Sequence, residues 1–340
     1  MNRIKIAQIG VGHDHSDLIT SLMRQNDIFD VKGFCVCDGE EAHYELVRDQ
    51  FFSGATKVTL DDILNDPELD AVAIETTEAN LTKYARLALE RGLHVHMDKP
   101  GSADHAAFTE MVRLAEKKNL VFHVGYMYRY NPAVEYAREV VKSGKLGTVY
   151  SVEAQMNGLH SAEKRQWMDS FPGGMQFFLG CHLIDLIVQL QGIPSEIIPC
   201  NKETGFDGVT ATDFGMTVFK YPNGISFAKA CDAEPGGFAR RQLVVCGEKG
   251  TLEIRPMEKY IVPAPDEKNM YTAIREVYYD KAAKLGWNYD GEYRQLDPFN
   301  RYDHMTRSLA SYIRGEAKNP WTYDYEIALH EIISRACGTL

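Results

Sequence analysis

Three groups of side chains have the types and spacing to do chemistry. The first is Leu93-His94-Val95-His96-Met97-Asp98-Lys99-Pro100, a short apolar strand that ends in an acid, a lysine and a proline. Open parallel sheets bind ligands where strands end at their carboxyl edge, so Lys99 could donate there to a substrate hydroxyl or carbonyl oxygen. A solvated loop lysine is the plainer alternative. The second group is His182 and Asp185, three apart in the helical stretch 175–190 and so neighbours on one face. His182 could exchange a proton with a hydroxyl while Asp185 orients its ring, or the two could form a purely structural pair. The third is the turn Gly10-Val11-Gly12-His13-Asp14-His15. Gly10 permits a tight turn, and Gly12 lets backbone amides approach a pyrophosphate at a helix N-terminus. The third glycine of that fingerprint is His15 here, so the motif is incomplete.

These groups need elements to position them. Residues 3–9 read as a strand, and a helical pattern follows the turn at Leu18, Ile19, Leu22 and Met23. A second strand over 31–36 ends near Asp38, where a carboxylate accepts ribose hydroxyls; capping of the next helix is the alternative role. No Arg or Lys follows in Gly39-Glu40-Glu41, where a 2′-phosphate would meet negative charge, so NAD is favoured over NADP. Strands at 70–74, 94–97 and 120–124 alternate with helices at 40–52, 80–91 and 103–118, the signature of a doubly wound parallel sheet. Beyond residue 125, strands at 148–156, 196–200, 213–220, 224–231, 242–246 and 250–254 are joined by short turns. They predict a large, mostly antiparallel sheet in an α+β domain. Pro263-Ala264-Pro265 reads as a loop, and helices at 303–315 and 325–336 close the chain. The expected domains are 1–125 and 126–340, with the closing helices able to pack back on the first.

Composition narrows the partners. The 340 residues are 44% hydrophobic and 25% charged, with a net charge of -11. That balance argues against nucleic acid or an anionic membrane as the main partner and leaves a small-molecule substrate. No apolar run approaches the roughly 20 residues that span a bilayer. The first residues run straight into a strand without the features of a signal peptide. Seven scattered cysteines make a disulfide framework unlikely to be the organising device, and the expected location is the cytoplasm. Cys35 and Cys37 lack a second ligand pair for zinc. His13 and His15 invite a metal reading, but positions i and i+2 at a helix start diverge, so no metal is expected.

Taken together, Gly10-Val11-Gly12, Asp38, Asp98-Lys99-Pro100, Tyr128-Arg129-Tyr130-Asn131-Pro132, Lys145-Leu146-Gly147-Thr148-Val149 and Gly180-Cys181-His182-Leu183-Ile184-Asp185 follow a known order. In that order the chain resembles the glucose-fructose oxidoreductase / inositol dehydrogenase (Gfo/Idh/MocA) family over essentially its whole length. The resemblance implies a Rossmann domain followed by an α+β domain on a large open sheet, the latter commonly a dimer interface, so a homodimer or homotetramer is expected. It also implies NAD(P)-dependent oxidation or reduction of a sugar, polyol or related hydroxy compound. By the same resemblance Lys99 polarises the substrate oxygen, His182 is the acid/base with Asp185 beside it, and Asp98 positions Lys99 or the nicotinamide ribose. Gly10, Val11, Gly12, His13, Asp14, Asp38 and Thr76 would line the cofactor, with Tyr128 and Arg129 on the substrate. Three departures stand out: Phe178 replaces an acid one turn before His182, His15 replaces the third glycine, and Thr76-Thr77-Glu78 keeps only the first residue of the family's Thr-Pro-Asn. His160, Lys164, Arg165 and Trp167 fall in a polar stretch read as a loop. There Trp167 could stack on a sugar ring and the cations could bind a carboxylate, with a plain surface loop as the alternative. Two other functions fit the same fold: a sensor that binds NAD or sugar without turnover, which Phe178 favours, and an enzyme that retains NAD for elimination or glycoside cleavage.

Overall fold

The alternation of apolar strands and amphipathic helices folds as its periodicity dictates. In a computed structural model describing residues 2–260 and 269–340, five strands form a wholly parallel sheet: β1 (Ile4–Ile9), β2 (Phe29–Cys35), β3 (Ala71–Ile74), β4 (His94–Met97) and β5 (Phe122–Val124). Their order is β2-β1-β3-β4-β5. The connections carry α1 (Leu18–Arg24), α2 (Glu41–Val47), α3 (Leu60–Asn65), α4 (Leu81–Glu90) and α5 (His105–Lys117). β3 is buried at every position, which is why it reads as a continuous apolar run rather than an alternation. Strand order reverses between β1 and β3, and in open sheets a ligand crevice forms at such a point. Outside β2 a further strand is reduced to the single parallel bridge Phe34↔Lys57.

The described residues fall into two compact units, 2–127 with 300–330, and 128–260 with 269–299 and 331–340. Residues 300–330 thus group with the parallel sheet, and the first break comes after Met127. The expected loop at Pro263-Ala264-Pro265 lies outside the described residues. In the second unit, α6 (Pro132–Lys142), β6 (Val149–Asn157), α7 (Ala162–Trp167) and α8 (Cys181–Gln191) lead into β7 (Glu196–Pro199), β8 (Phe214–Tyr221), β9 (Gly224–Cys231), β10 (Gln242–Gly247) and β11 (Gly250–Ile254). A short pair, β12 (Lys259–Tyr260) and β13 (Asn269–Tyr271), precedes β14 (Ala273–Tyr278) and β15 (Glu292–Gln295). The large sheet has eight strands in the order β15-β14-β11-β10-β6-β9-β8-β7, antiparallel except between β6 and β9. β8 alternates half-buried and buried residues along its whole length, the period-two pattern of a sheet covered on one face. The apolar α8 packs against β6 and β9.

One buried histidine of the first unit gives a pH dependence. His330, on the helix Tyr323–Cys337, stacks on Phe108 with ring centroids 4.1 Å apart and lies beside His105. Its Nε2 is 2.9 Å from the Ser102 carbonyl. Burial pushes its pKa down to about 4; the Ser102 carbonyl works against the shift and His105 adds to it. The unfolded histidine, near pH 6.5, takes up a proton that the folded one refuses. Stability is therefore full above about pH 6.5 and falls as pH drops toward 4, by at most about 1.4 kcal/mol per unit from this group. Urea unfolding of His330→Gln across that window should show a shallower slope than the parent chain; an unchanged slope would remove His330 as a cause.

Candidate active site

In the first unit the turn after β1 is built by close backbone contact. Gly10 has φ of +91°, and a Cβ there would lie 2.6 Å from the Thr76 backbone at the end of β3. The Gly10 N–H donates to the Cys35 carbonyl, which pins β1 to β2 as well. A side chain at Gly12 would meet the Glu40 carboxylate at 2.5 Å. Glu40, which the sequence pattern does not single out, ties this turn together. It is 3% exposed and accepts the Val11 N–H at 2.8 Å, the Cys37 N–H, the Thr76 hydroxyl at 2.6 Å and the Thr77 N–H. Gly39, in the left-handed region at φ 86°, turns the chain so that this second acid points back into the turn. Asp38 stays exposed at the tip of β2, open to a ribose. A Gly-rich turn at the switch point with an exposed acid at the second strand fits a dinucleotide.

Residues 13–17 form turns, and α1 begins only at Leu18. The expected divergence of His13 and His15 at a helix start therefore does not occur. His13 Nδ1 lies 3.3 Å and His15 Nδ1 3.0 Å from the same oxygen, Asp98 Oδ2, with all three residues buried. Asp98 Oδ1 accepts the Lys99 N–H at 2.5 Å, and Lys99 itself is 1% exposed. Behind them Glu75, fully buried, stands 3.5 Å from His96 Nε2, and His96 Nδ1 meets His123 Nδ1 at 2.7 Å. Burial, then the Asp98 charge, drives the Glu75 carboxyl well above the usual carboxylate range. Burial likewise pushes His13 down to about 3, with Lys99 and His15 adding and Asp98 opposing, and His96 down to about 4. A chain of adjacent buried carboxyls and imidazoles like this can store and relay protons.

In the second unit Tyr128, Arg129 and Tyr130 form a 3₁₀ turn, and two expected roles change. Arg129 does not present a free guanidinium to a substrate. It is wholly buried, with Nε 3.0 Å from Asp185 Oδ2 and a terminal nitrogen 3.0 Å from Oδ1. Gln189 adds a third donor to Asp185 at 2.6 Å. Asp185 is thereby the partner of Arg129, and neither ring nitrogen of His182 is hydrogen-bonded to it. His182, 1% exposed on α8, meets the edge of the Tyr128 ring at 5.1 Å between centroids. A π-helical turn, Gln176–Gly180, precedes α8.

The stretch read as a polar loop is a helix, α7, whose N-cap Ser161 accepts the Lys164 N–H. Capping by Ser161 and the Arg165 anchor explain the difference. Arg165 is wholly buried, bonded to Asp213 at 3.0 Å, Asp207 at 2.6 Å and the carbonyls of His160 and Phe206. Its guanidinium is spent on the fold rather than offered to a carboxylate. His160 Nδ1 lies 2.7 Å from the buried Asp232. Trp167 packs edge-on against Phe171 and Phe178, with the Lys164 ammonium 3.9 Å from its ring centre. Phe178 thus belongs to an aromatic cluster, which accounts for an apolar residue at that position.

Sequence comparisons agree with this architecture. The model described as "Oxidoreductase family, NAD-binding Rossmann fold" matches residues 4–126, and that of the GFO/IDH/MocA C-terminal domain matches 134–253. The chain belongs to the GFO/IDH/MocA family. It is 32% identical over 142 residues to the uncharacterized oxidoreductase YhhX of Escherichia coli, covering 41% of this chain and 40% of that protein. It is 26% identical over 191 residues to D-xylose 1-dehydrogenase (NADP(+)) 2 of Haloferax volcanii, covering 54% and 58%. The matched part of the chain thus spans about half the length of these curated relatives. Among solved structures, GenD2 from gentamicin A biosynthesis in complex with NAD superposes with a TM-score of 0.75 at 20% identity, covering 100% of this chain and 94% of that one. At that identity the likeness is one of fold.

Proposed function

We propose that the protein is an NAD-dependent oxidoreductase that moves hydride between nicotinamide and a secondary alcohol or carbonyl of a sugar, polyol or related hydroxy compound. The observation that carries this reading is Lys99. It is 1% exposed and follows β4 at the carboxyl edge of the parallel sheet, the edge that also bears the Gly-rich turn of β1. Withdrawing an ammonium from water costs several kcal/mol unless its partners compensate, so a fully buried lysine at the ligand-binding edge of a sheet points to a functional role. The turn Gly10 to Asp14 lines the diphosphate beside Thr76, and Asp38 accepts the adenosine ribose hydroxyls. Asp38 and Glu41 together repel a 2′-phosphate, which favours NAD over NADP. Bound NAD supplies the ring carbon that accepts hydride. Lys99 donates a hydrogen bond to the substrate oxygen and stabilises negative charge as it develops there. His182 takes the hydroxyl proton at a ring nitrogen. The D-xylose specificity in the name of one relative supports the sugar or polyol class.

Titration of the purified protein with NAD, NADH, NADP and NADPH, followed by a sugar and polyol panel read at the NADH absorbance band, tests this directly. The expected result is tighter binding of NAD(H) and turnover on some member of the panel. Tight binding with no turnover would move the protein to the non-turnover sensor reading, and no binding of any nucleotide would overturn the cofactor site.

A further inference from the structure

We propose that His13, His15 and Asp98 are ligands of a divalent first-row transition-metal ion of the zinc or cobalt type, with Glu75 at hand as a fourth donor. The inference stands apart from the dehydrogenase reading and rests on the first unit alone. Ligand atoms of the three residues lie within 4.8 Å of one another, and all three residues are buried. Two edges of the cluster already have metal-site dimensions. Ligands about 2.0–2.2 Å from a tetrahedral ion stand roughly 3.3 Å apart. His13 Nδ1 and His15 Nδ1 are 3.3 and 3.0 Å from Asp98 Oδ2.

Hydrogen bonding favours the ligating tautomer of His13. The His15 backbone N–H donates to His13 Nδ1 at 3.2 Å, which puts the ring proton on Nε2; an ion at Nδ1 would take over the lone pair that now accepts this long bond. Glu78 Oε1 stands 3.6 Å from Nε2, beyond hydrogen-bond distance but on the side from which a carboxylate supports a metal-bound histidine. The His13 lone pair then faces a carboxylate oxygen at 3.3 Å. Two electron-rich atoms in a buried site repel unless a cation or a proton lies between them.

An independent observation points the same way. Glu75 is 0% exposed and stands against Asp98, and no amide, hydroxyl or imidazole hydrogen-bonds its oxygens, which leaves a shared proton or a cation to lie between the two acids. Its oxygens stand 4.0 Å from His13 Nδ1 and 3.5 Å from His96 Nε2. Buried side-chain oxygens without partners are rare, and an ion is one of the few ways to satisfy them. Two imidazoles with one or two carboxylates select zinc, cobalt or iron over magnesium or calcium, which prefer all-oxygen sites. Such an ion would tie the turn after β1 to the end of β4, next to Lys99.

The test is metal content of the full chain expressed in zinc-supplemented medium, together with cobalt titration of chelator-treated protein followed by its visible ligand-field bands. The expected result is close to one zinc per chain and cobalt bands of tetrahedral intensity. His15→Ala and Asp98→Asn should each weaken binding by about a hundredfold or more, since loss of mere supporting partners already costs about 10–100-fold. His15→Gln, checked by circular dichroism and thermal unfolding, separates lost ligation from lost folding. Metal-free wild-type protein that also gives no cobalt bands would overturn the proposal and leave a proton shared among Asp98, Glu75 and the imidazoles. Full metal loading in folded His15 and Asp98 variants would overturn it too, by locating the ion elsewhere.

Discussion

Replacing Arg129 with methionine should lower the unfolding free energy by about 3–5 kcal/mol, measured by urea denaturation. The reason is asymmetry. Arg129 and Asp185 are 0% and 1% exposed and joined through several hydrogen bonds. Removing the cation leaves a buried carboxylate that has lost its charged partner, with Gln189 still donating to it. The pair need not stabilise the fold relative to an apolar replacement of the same volume, because its desolvation cost is of similar size to its Coulomb gain. The double variant Arg129→Met/Asp185→Leu should therefore recover most of the loss. Arg129→Lys should be costly as well, since an ammonium cannot reproduce two parallel donors. A single variant within about 0.5 kcal/mol of the parent would show that the carboxylate protonates or finds another donor at little cost.

His182→Ala and Lys99→Met should each reduce kcat by on the order of 10²–10⁴, the range for removing a general acid/base or a donor at developing charge. Nucleotide affinity should stay close to that of the parent, because neither side chain is asked to hold the cofactor's diphosphate. Steady-state rates on whichever alcohol turns over, with NAD binding measured alongside, check both. Parental turnover in the two variants would remove these residues from the chemistry.

How much of this was legible in the sequence follows from the range of the interactions. The β1–β5 strands and the hairpin-rich second sheet are written in local periodicity, because a strand buried on both faces and a strand covered on one face leave different patterns over a few residues. The Gly-rich turn and the Asp98-Lys99 strand end are local in the same sense. The role of Glu40 was not legible, because it depends on a positive φ at Gly39 that sends the following acid back toward a turn almost thirty residues earlier. By type and position alone Arg129 and Arg165 look like ligand-binding cations. Nothing in their neighbourhoods reveals that Asp185 and Asp213, some fifty residues on, already neutralise them. The placing of His13 and His15 departs from expectation for a local reason: α1 begins only at Leu18, and the turn residues before it let both rings face Asp98.

The one-residue remnant beside β2 has a bearing on how the chain behaves at high concentration. A parallel sheet without a sixth strand ends in a row of open amides and carbonyls, which invites a second molecule to add its own strand. Here the Phe34 N–H donates to the Thr56 carbonyl and the Val58 N–H to the Phe34 carbonyl, both at 2.9 Å. Lys32 and Lys57 place charge along the same flank. A few residues of irregular chain therefore close the flank against aggregation, without the length of a full strand.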